Sequence, residues 1–433
     1  MKVFSLKGQA LKLDTAADLE PHIADLKTAT DIEEFHLEGN TIGVSAAQHL
    51  ASILATKPAL RYANLADIFT GRLLSEIPQA LDALLQALLQ CPNLTTLNLN
   101  DNAFGLNTVE PLRPFLSQHT PLQHLYLNNN GLGPAAGTLV AQALEQLAAN
   151  KQGKNVPHLE TVVCGRNRLE NGSMEAWVKA YQANCHVLTV KMVQNGIRQE
   201  GIKTLLSQGL SACRDLRTLD LQDNTFTALA ARTLADVLPT SWKELVDLGV
   251  GDCLLSARGG RMLGTALAKG ENKRVEVLRL QFNEIDSTGL KALADASKVL
   301  PRLRRVEVNG NKFAEEDPSV EVLQEVLSRR KENAAEEFPG VDEEDEEAWG
   351  VDELDELEEE DSEEEEEGEG DEDVEDEEEQ VVKDSDAAEQ EPVAERKDKE
   401  VDDLANALGK TELKADGNAS MIWGDEPGVV LLH

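Results

Sequence analysis

The sequence predicts an α/β solenoid, a single curved stack of strand-and-helix units. Three observations carry that reading. A pattern of the form Leu-x-x-Leu-x-Leu-x-x-Asn-x-Leu recurs, as in Leu94, Leu97, Leu99, Asn102, Phe104 and again in Leu122, Leu125, Leu127, Asn130, Leu132. Its period is close to constant. Each repeat is followed by apolar residues at helical spacing. The pattern is that of a leucine-rich repeat, and a fixed period of this length identifies the architecture.

The position held by the repeat asparagine falls at Asn40, Ile68, Asn102, Asn130, Asn167, Asn195, Asn224, Cys253, Asn283 and Asn311. The intervals are 28, 34, 28, 37, 28, 29, 29, 30 and 28 residues. A unit of 28 to 30 residues has room for a strand and a real helix, which predicts about ten β-α repeats in a ribonuclease-inhibitor-like crescent. The two long intervals mark insertions near Ala66–Ser75 and Leu147–Pro157. In the strand segment the leucines point inward. In the second half of the unit Ala46, Ala47, Leu50, Ile53 and Leu54, or Leu139, Val140, Ala143, Leu144 and Leu147, form a helical stripe on the same core. The asparagine turns the chain inward and satisfies backbone groups there. One unit cannot bury its own face, so stacking is obligatory.

The ends need caps. Residues 1–30 depart from the consensus and are expected to form the N-terminal cap, with the crescent running over 31–335. Asp317-Pro318 reads as a helix start, Asp at the N-cap and Pro at the first position, and Arg329, Arg330 and Lys331 suit the last turns. The fold is expected to finish near Ala335.

Charge divides the chain. The total is −39. Residues 1–333 carry 35 Lys+Arg and 37 Asp+Glu, a net of −2, and residues 334–433 carry 6 and 43, a net of −37. The expectation for 336–433 is therefore a mostly disordered acidic tail, self-repelling and suited to steering a basic partner. Ser362 and Ser385 precede acidic residues that suit an acid-directed kinase. The last segment, Asn418–His433, contains Ile422, Trp423 and Val429 to Leu432, a candidate docking peptide.

The same reading excludes several classes. Five scattered cysteines form no CxxC pair or Cys/His cluster, which argues against a structural zinc and fits a reducing compartment. Cys164 and Cys253 fall at consensus core positions. The N-terminus lacks the apolar run of a signal peptide, and no stretch reaches the length of a membrane span. No nucleophile-base set, metal cluster or phosphate loop is present, so a self-contained enzyme is not expected. Function is expected on residues the repeat does not require, along one rim: Arg72, Asn100, Asp101, Asn128, Asn129, Arg166, Arg168, Gln194, Gln222, Asp223, Asp252, Gln281 and Asn309. Arg72, beside Gly71 in the first insertion, is expected on a projecting loop where it could meet a carboxylate or phosphate.

That insertion carries a resemblance. Asp67-Ile68-Phe69-Thr70-Gly71-Arg72 followed by Glu76-Ile77-Pro78, and Leu125-Tyr126-Leu127-Asn128-Asn129-Asn130-Gly131-Leu132-Gly133-Pro134, resemble signature segments of the Ran GTPase-activating proteins, particularly the shorter fungal members. The repeat number, the 28-residue modulus and the acidic segment agree, over about residues 1–400. The resemblance implies binding to Ran in its GTP form and faster hydrolysis, in nucleocytoplasmic transport. It implies no cofactor of this chain's own, since the partner holds GTP and magnesium. Asn129 is the implied amide that orients the partner's glutamine, with Asn130 the nearest competitor, and Arg72 supports the interface without serving as a finger. Asn128, Asn130, Asn100, Asp101, Arg166, Asp223 and Asp252 are the implied partner-binding residues. Leu73-Leu74 stands where the family pattern leads one to expect a charge. Further implied features are a Ran-binding protein in a ternary complex, no DNA, RNA or membrane partner, and a cytoplasmic or perinuclear location. Two other readings join repeats to binding: an acidic histone-binding chaperone, whose repeats are shorter and fewer, and a ribonuclease-inhibitor-like module, which is richer in cysteine.

Overall fold

The computed structural model describes residues 2–358. Within them, twelve short parallel strands follow one another in chain order across a single sheet. The first is Val3–Ser5 and the last Gly350–Val351, and between them lie Glu34–His36, Tyr62–Asn64, Thr96–Asn98, His124–Tyr126 and their six successors. Register is one to one: Leu97 stands beside Leu125, Leu125 beside Val162, Val162 beside Val190. The middle residue of each three-residue strand is thus carried into a continuous apolar row, from Phe35 through Leu219 to Val306, with no exposed surface at those three. Parallel strands need a crossover, and a helix supplies each one. Val44–Leu54, Ile77–Leu88 and Gly133–Lys151 are three of these; the first buries its predicted stripe whole, and the third buries its stripe except Leu139, which is half-buried.

The asparagine column does the work expected of it. Asn102 donates through Nδ2 to the carbonyls of Leu65 (2.8 Å) and Leu99 (3.0 Å), and its Oδ1 accepts from the Ile68 N–H at 2.9 Å. Asn130, Asn167 and Asn195 repeat this, each accepting from the ladder residue of the preceding unit at 2.9 to 3.0 Å. At Cys253 the thiol takes the donor's place, with its sulfur 3.3 Å from the Gly251 carbonyl. Cys164 and Cys253 are fully buried, as expected of core positions.

Both ends differ from expectation. Residues 1–30 cap the core, but Val3–Ser5 is itself a strand of the main sheet, and Lys12–Leu13 pairs with Thr41–Ile42. At the other end helix Pro318–Glu332 starts as predicted, with Asp317 accepting from the Ser319 N–H. The fold does not finish near Ala335, however. Phe338 and Trp349 pack edge to face with centroids 5.3 Å apart, and Arg302 lies over the Phe338 ring. Gly350–Val351 then pairs with Arg305–Glu307, Asp352 accepts from the Val308 and Asn309 N–H groups at 2.8 and 3.0 Å, and the Glu358 N–H reaches the Asn311 carbonyl. An otherwise open edge strand is covered by the first part of the acidic segment. Averaged charge concealed two aromatic anchors and a carboxylate placed to meet two backbone donors. The remainder of the predicted tail, with Ser362, Ser385 and Asn418–His433, lies outside the described residues.

Candidate functional site

The rim is set by backbone conformation. The residue before each ladder position has a left-handed φ: Gly39, Asp67, Asp101, Asn129, Arg166, Gln194, Asp223, Asp252, Phe282 and Gly310 lie between 47° and 72°. From Asp67 to Phe282 each N–H in the run bonds to a carbonyl of the next repeat, as Asp101 to that of Asn128, Asn129 to that of Gly165 and Arg166 to that of Val193. Left-handed backbone favours Gly, Asn and Asp, which accounts for many of the residue types. It also turns these side chains out of the sheet in one line at the carboxyl ends of the strands.

Asn129 sits in that line and is exposed. Its Nδ2 donates to Asp101 Oδ1 at 2.9 Å. An ionised carboxylate only accepts, so this contact fixes which end of the Asn129 amide faces Asp101. Its Oδ1 accepts no hydrogen bond among the described residues, which leaves an acceptor available on an exposed side chain whose other end is held. Asn130, one residue on, is the opposite case. It has no exposed surface, and its Nδ2 donates to the carbonyls of Leu99, Leu127 and Asn128. Its expected place among partner-binding residues is therefore corrected: the ladder consumes it. Asn100 and Asn128 are half-buried and largely engaged within the sheet. Asn100 Oδ1 accepts from the Asn128 N–H at 2.8 Å, and Asn128 Oδ1 accepts from the Gly165 N–H at 2.6 Å. A side chain at Gly165 would press on that oxygen, its Cβ 3.1 Å away.

Further along, Arg166 and Asp252 are exposed and Asp223 is half-buried. Partial burial pushes the Asp223 carboxyl above its usual range. The Asp252 carboxylate adds to the rise and the Arg166 guanidinium opposes it. These three form one electrostatic group in neighbouring and near-neighbouring repeats.

Arg72 departs from expectation. It does not project. Only 7% of its side chain is exposed, and it folds back onto the N-terminal cap. Nη1 meets Asp14 Oδ1 at 2.5 Å, Nε donates to Thr41 Oγ1 at 2.8 Å, and Nη2 donates to the Thr41 carbonyl at 3.0 Å. This guanidinium holds the Asp14 carboxyl below the usual carboxylate range. Gly43 leaves room for it, since a Cβ there would stand 3.0 Å from Nη1. The loop is pinned at its other end by Phe69, which is buried against Phe104. Leu73 and Leu74 form the exposed tip, at 68% and 69%. Sequence reasoning found Arg72 but missed Asp14 and Thr41, which lie 58 and 31 residues away. No local signal announces them.

Among the described residues no cluster of His, Cys, Asp and Glu could hold a metal ion, and no helix is long and apolar enough to cross a membrane. Fold and rim define a leucine-rich repeat protein of the strand-and-helix type, and the family model described as Leucine Rich repeat matches residues 90–111, 212–235 and 271–294. The chain is 40% identical over 336 residues to Ran GTPase-activating protein 1 of Saccharomyces cerevisiae, covering 75% of this chain and 81% of that one. It is 35% identical to the Ran GTPase-activating protein of Drosophila melanogaster over 81% of this chain and 59% of the other. With Ran GTPase-activating protein 1 of Xenopus laevis it shares 41% over 45% of this chain and 34% of that one. The chain belongs to the Ran GTPase-activating protein family.

Proposed function

We propose that this protein accelerates hydrolysis of Ran-bound GTP by holding Ran's own glutamine in place with Asn129. The relatives' function supports Ran as the partner. The observation that carries the residue assignment is the Asp101–Asn129 hydrogen bond, which engages the amide nitrogen of an exposed side chain and leaves its oxygen to accept from a partner. That oxygen accepts from the NH₂ of the partner's glutamine. The glutamine carbonyl is then turned toward the attacking water, and the barrier falls through positioning rather than through new covalent chemistry. GTP and magnesium stay with Ran, and this chain contributes no catalytic machinery of its own. Arg72, held by Asp14 and Thr41, is a strap for the loop beside the site and not a finger. Arg166, Asp223 and Asp252 extend the interface along the rim. We assign the protein to the cytoplasm or the nuclear periphery, where hydrolysis gives transport its direction, with a Ran-binding protein joining in a ternary complex and with no nucleic-acid or membrane partner.

The test separates holding from catalysis. Asn129→Ala is titrated against Ran loaded with a non-hydrolysable GTP analogue, beside the wild-type chain. Affinity within about threefold of wild type is expected, together with loss of activation. An affinity loss that accounts for the whole rate loss would make Asn129 an ordinary contact and overturn its role.

A further inference from the structure

The left-handed column holds one aromatic residue. Phe282 holds φ +55°, in a column otherwise rich in Gly, Asp and Asn. A bulky side chain is strained in this region. The ring does not serve the core. Leu280 and Ile285, on either side of it, are fully buried and close the core, while Phe282 is 45% exposed. Nor is the ring loosely placed. A Cβ on Gly310, the next residue of the column, would stand 2.1 Å from Phe282 Cδ1 and 2.3 Å from Cε1. The ring therefore lies in a seat that only glycine leaves open. In the preceding repeat the column residue is Asp252, and Leu254, two positions further along the same loop, is also left-handed, with φ +53° and 50% exposure.

The wider distribution points the same way. Seven large apolar side chains are exposed among the described residues: Val3, Leu73, Leu74, Leu106, Leu254, Phe282 and Val299. Five of them, all but Val3 and Val299, sit in strand-to-helix loops, the side that carries Asn129. Exposed apolar surface gathered on one side of a protein marks an interaction site, and aromatic anchors dominate such sites.

We infer that Phe282, with Leu254 in the strand-to-helix loop of the preceding repeat, is the distal apolar anchor of the interface that Asn129 serves, and packs against an apolar patch on the same GTPase. This rests on the activator reading above. Continuity argues for one partner. From Asn129 to Phe282 the column passes Arg166, Gln194, Asp223 and Asp252. That is five strand steps, roughly 24 Å at the usual strand spacing. A standard interface of about 800 Å² per partner is roughly 30 Å across. The two residues therefore fit opposite ends of one footprint, with the charged group between them.

Phe282 is unfavourable to the fold and favourable to binding, so its replacement should move stability and affinity in opposite directions. Phe282→Asn in the full chain relieves the backbone strain and removes an exposed ring. Its Tm is expected to stay level or rise by about 2 °C. Its affinity for Ran loaded with a GTP analogue is expected to fall about tenfold, the usual scale for an aromatic anchor. The single-turnover rate at saturating activator stays at the wild-type value. Val299→Asn, exposed to a similar degree but off the rim, serves as the control and leaves affinity unchanged. Unchanged affinity in Phe282→Asn, or an equal loss in Val299→Asn, would overturn the anchor. A lowered Tm in Phe282→Asn would show a structural role and overturn it too. Failure of the wild-type chain to accelerate hydrolysis would instead remove the activator reading, and the assigned partner with it.

Discussion

Truncating Asp101 tests whether Asn129 works because it is held. In Asp101→Ala the 2.9 Å bond to Asn129 Nδ2 disappears, and the amide is free to rotate about its side chain and to present either end to the partner. A hydrogen bond to a charged acceptor contributes about 1.5–3 kcal/mol when buried. Both side chains here are exposed, so about 1 kcal/mol is the fitting figure. That corresponds to roughly a fivefold loss in the rate of the activated step. Asn129→Ala removes the acceptor itself. By comparison with the removal of one positioned hydrogen-bonding group in a catalytic site, the loss should be on the order of 10² to 10³. The two effects must not add. If Asp101 acts only through Asn129, Asp101→Ala costs nothing further in the Asn129→Ala background, and the coupling equals the whole single-mutant effect. Asp101→Asn can still accept from Nδ2 but can also donate to Oδ1, so it should recover only part of the loss seen in Asp101→Ala. The assay is single-turnover hydrolysis by Ran at saturating activator, at two salt concentrations. Additive losses would refute the reasoning, because Asp101 would then act on the partner directly. So would an Asp101→Asn defect as large as that of Asp101→Ala, or one that vanishes at high salt, since both would point to the charge and not to the hydrogen bond.

Arg72→Ala should destabilise the fold by about 2–3 kcal/mol, read as a lower urea midpoint, because it strips three hydrogen bonds from a nearly buried site and leaves the Thr41 carbonyl without this donor; Arg72→Lys should recover little, since an ammonium cannot reproduce the fork, and a full recovery would contradict the strap. Lys151 donates to the carbonyls of Leu122 and Pro157 at the second insertion, and burial pulls its pKa down to about 8. The unfolded chain then holds this proton to higher pH than the folded one, so the lysine's contribution to stability rises as pH climbs from about 8 toward 10.5, by up to about 3 kcal/mol. Wild type measured against Lys151→Met over that range should show the difference growing in favour of wild type, and a flat difference would refute the assigned burial.

The parts of the fold that repeat were legible because each unit restates the same physical demand. Leu97, Leu125 and the others must face a shared core, and Asn102, Asn130 and Asn167 must satisfy backbone groups at a shared turn. The capping helix was legible from Asp317-Pro318 alone. What the chain does once, through distant partners, was not legible. Arg72 looked like a projecting residue because Asp14 and Thr41 belong to another part of the sequence. The C-terminal boundary was misplaced because Phe338, Trp349 and Asp352 sit within a segment whose overall charge signals a tail. At the site, Asn129 and Asn130 are the same residue type side by side. Only the left-handed backbone of one and the complete burial of the other separate them, and both follow from their places before and on the ladder. The Phe282 anomaly had a signal of the same kind, since a column position that favours Gly, Asn or Asp holds an aromatic there.

The central claim is that this chain activates a partner's GTPase through an oriented amide. Its most direct test is single-turnover hydrolysis of GTP by Ran alone, with the wild-type chain, and with Asn129→Ala. Acceleration on the order of 10³ to 10⁵ is expected from wild type, with most of it lost in Asn129→Ala while the variant stays folded and bound. Full acceleration by Asn129→Ala would contradict the mechanism, and no acceleration by the wild-type chain would contradict the function.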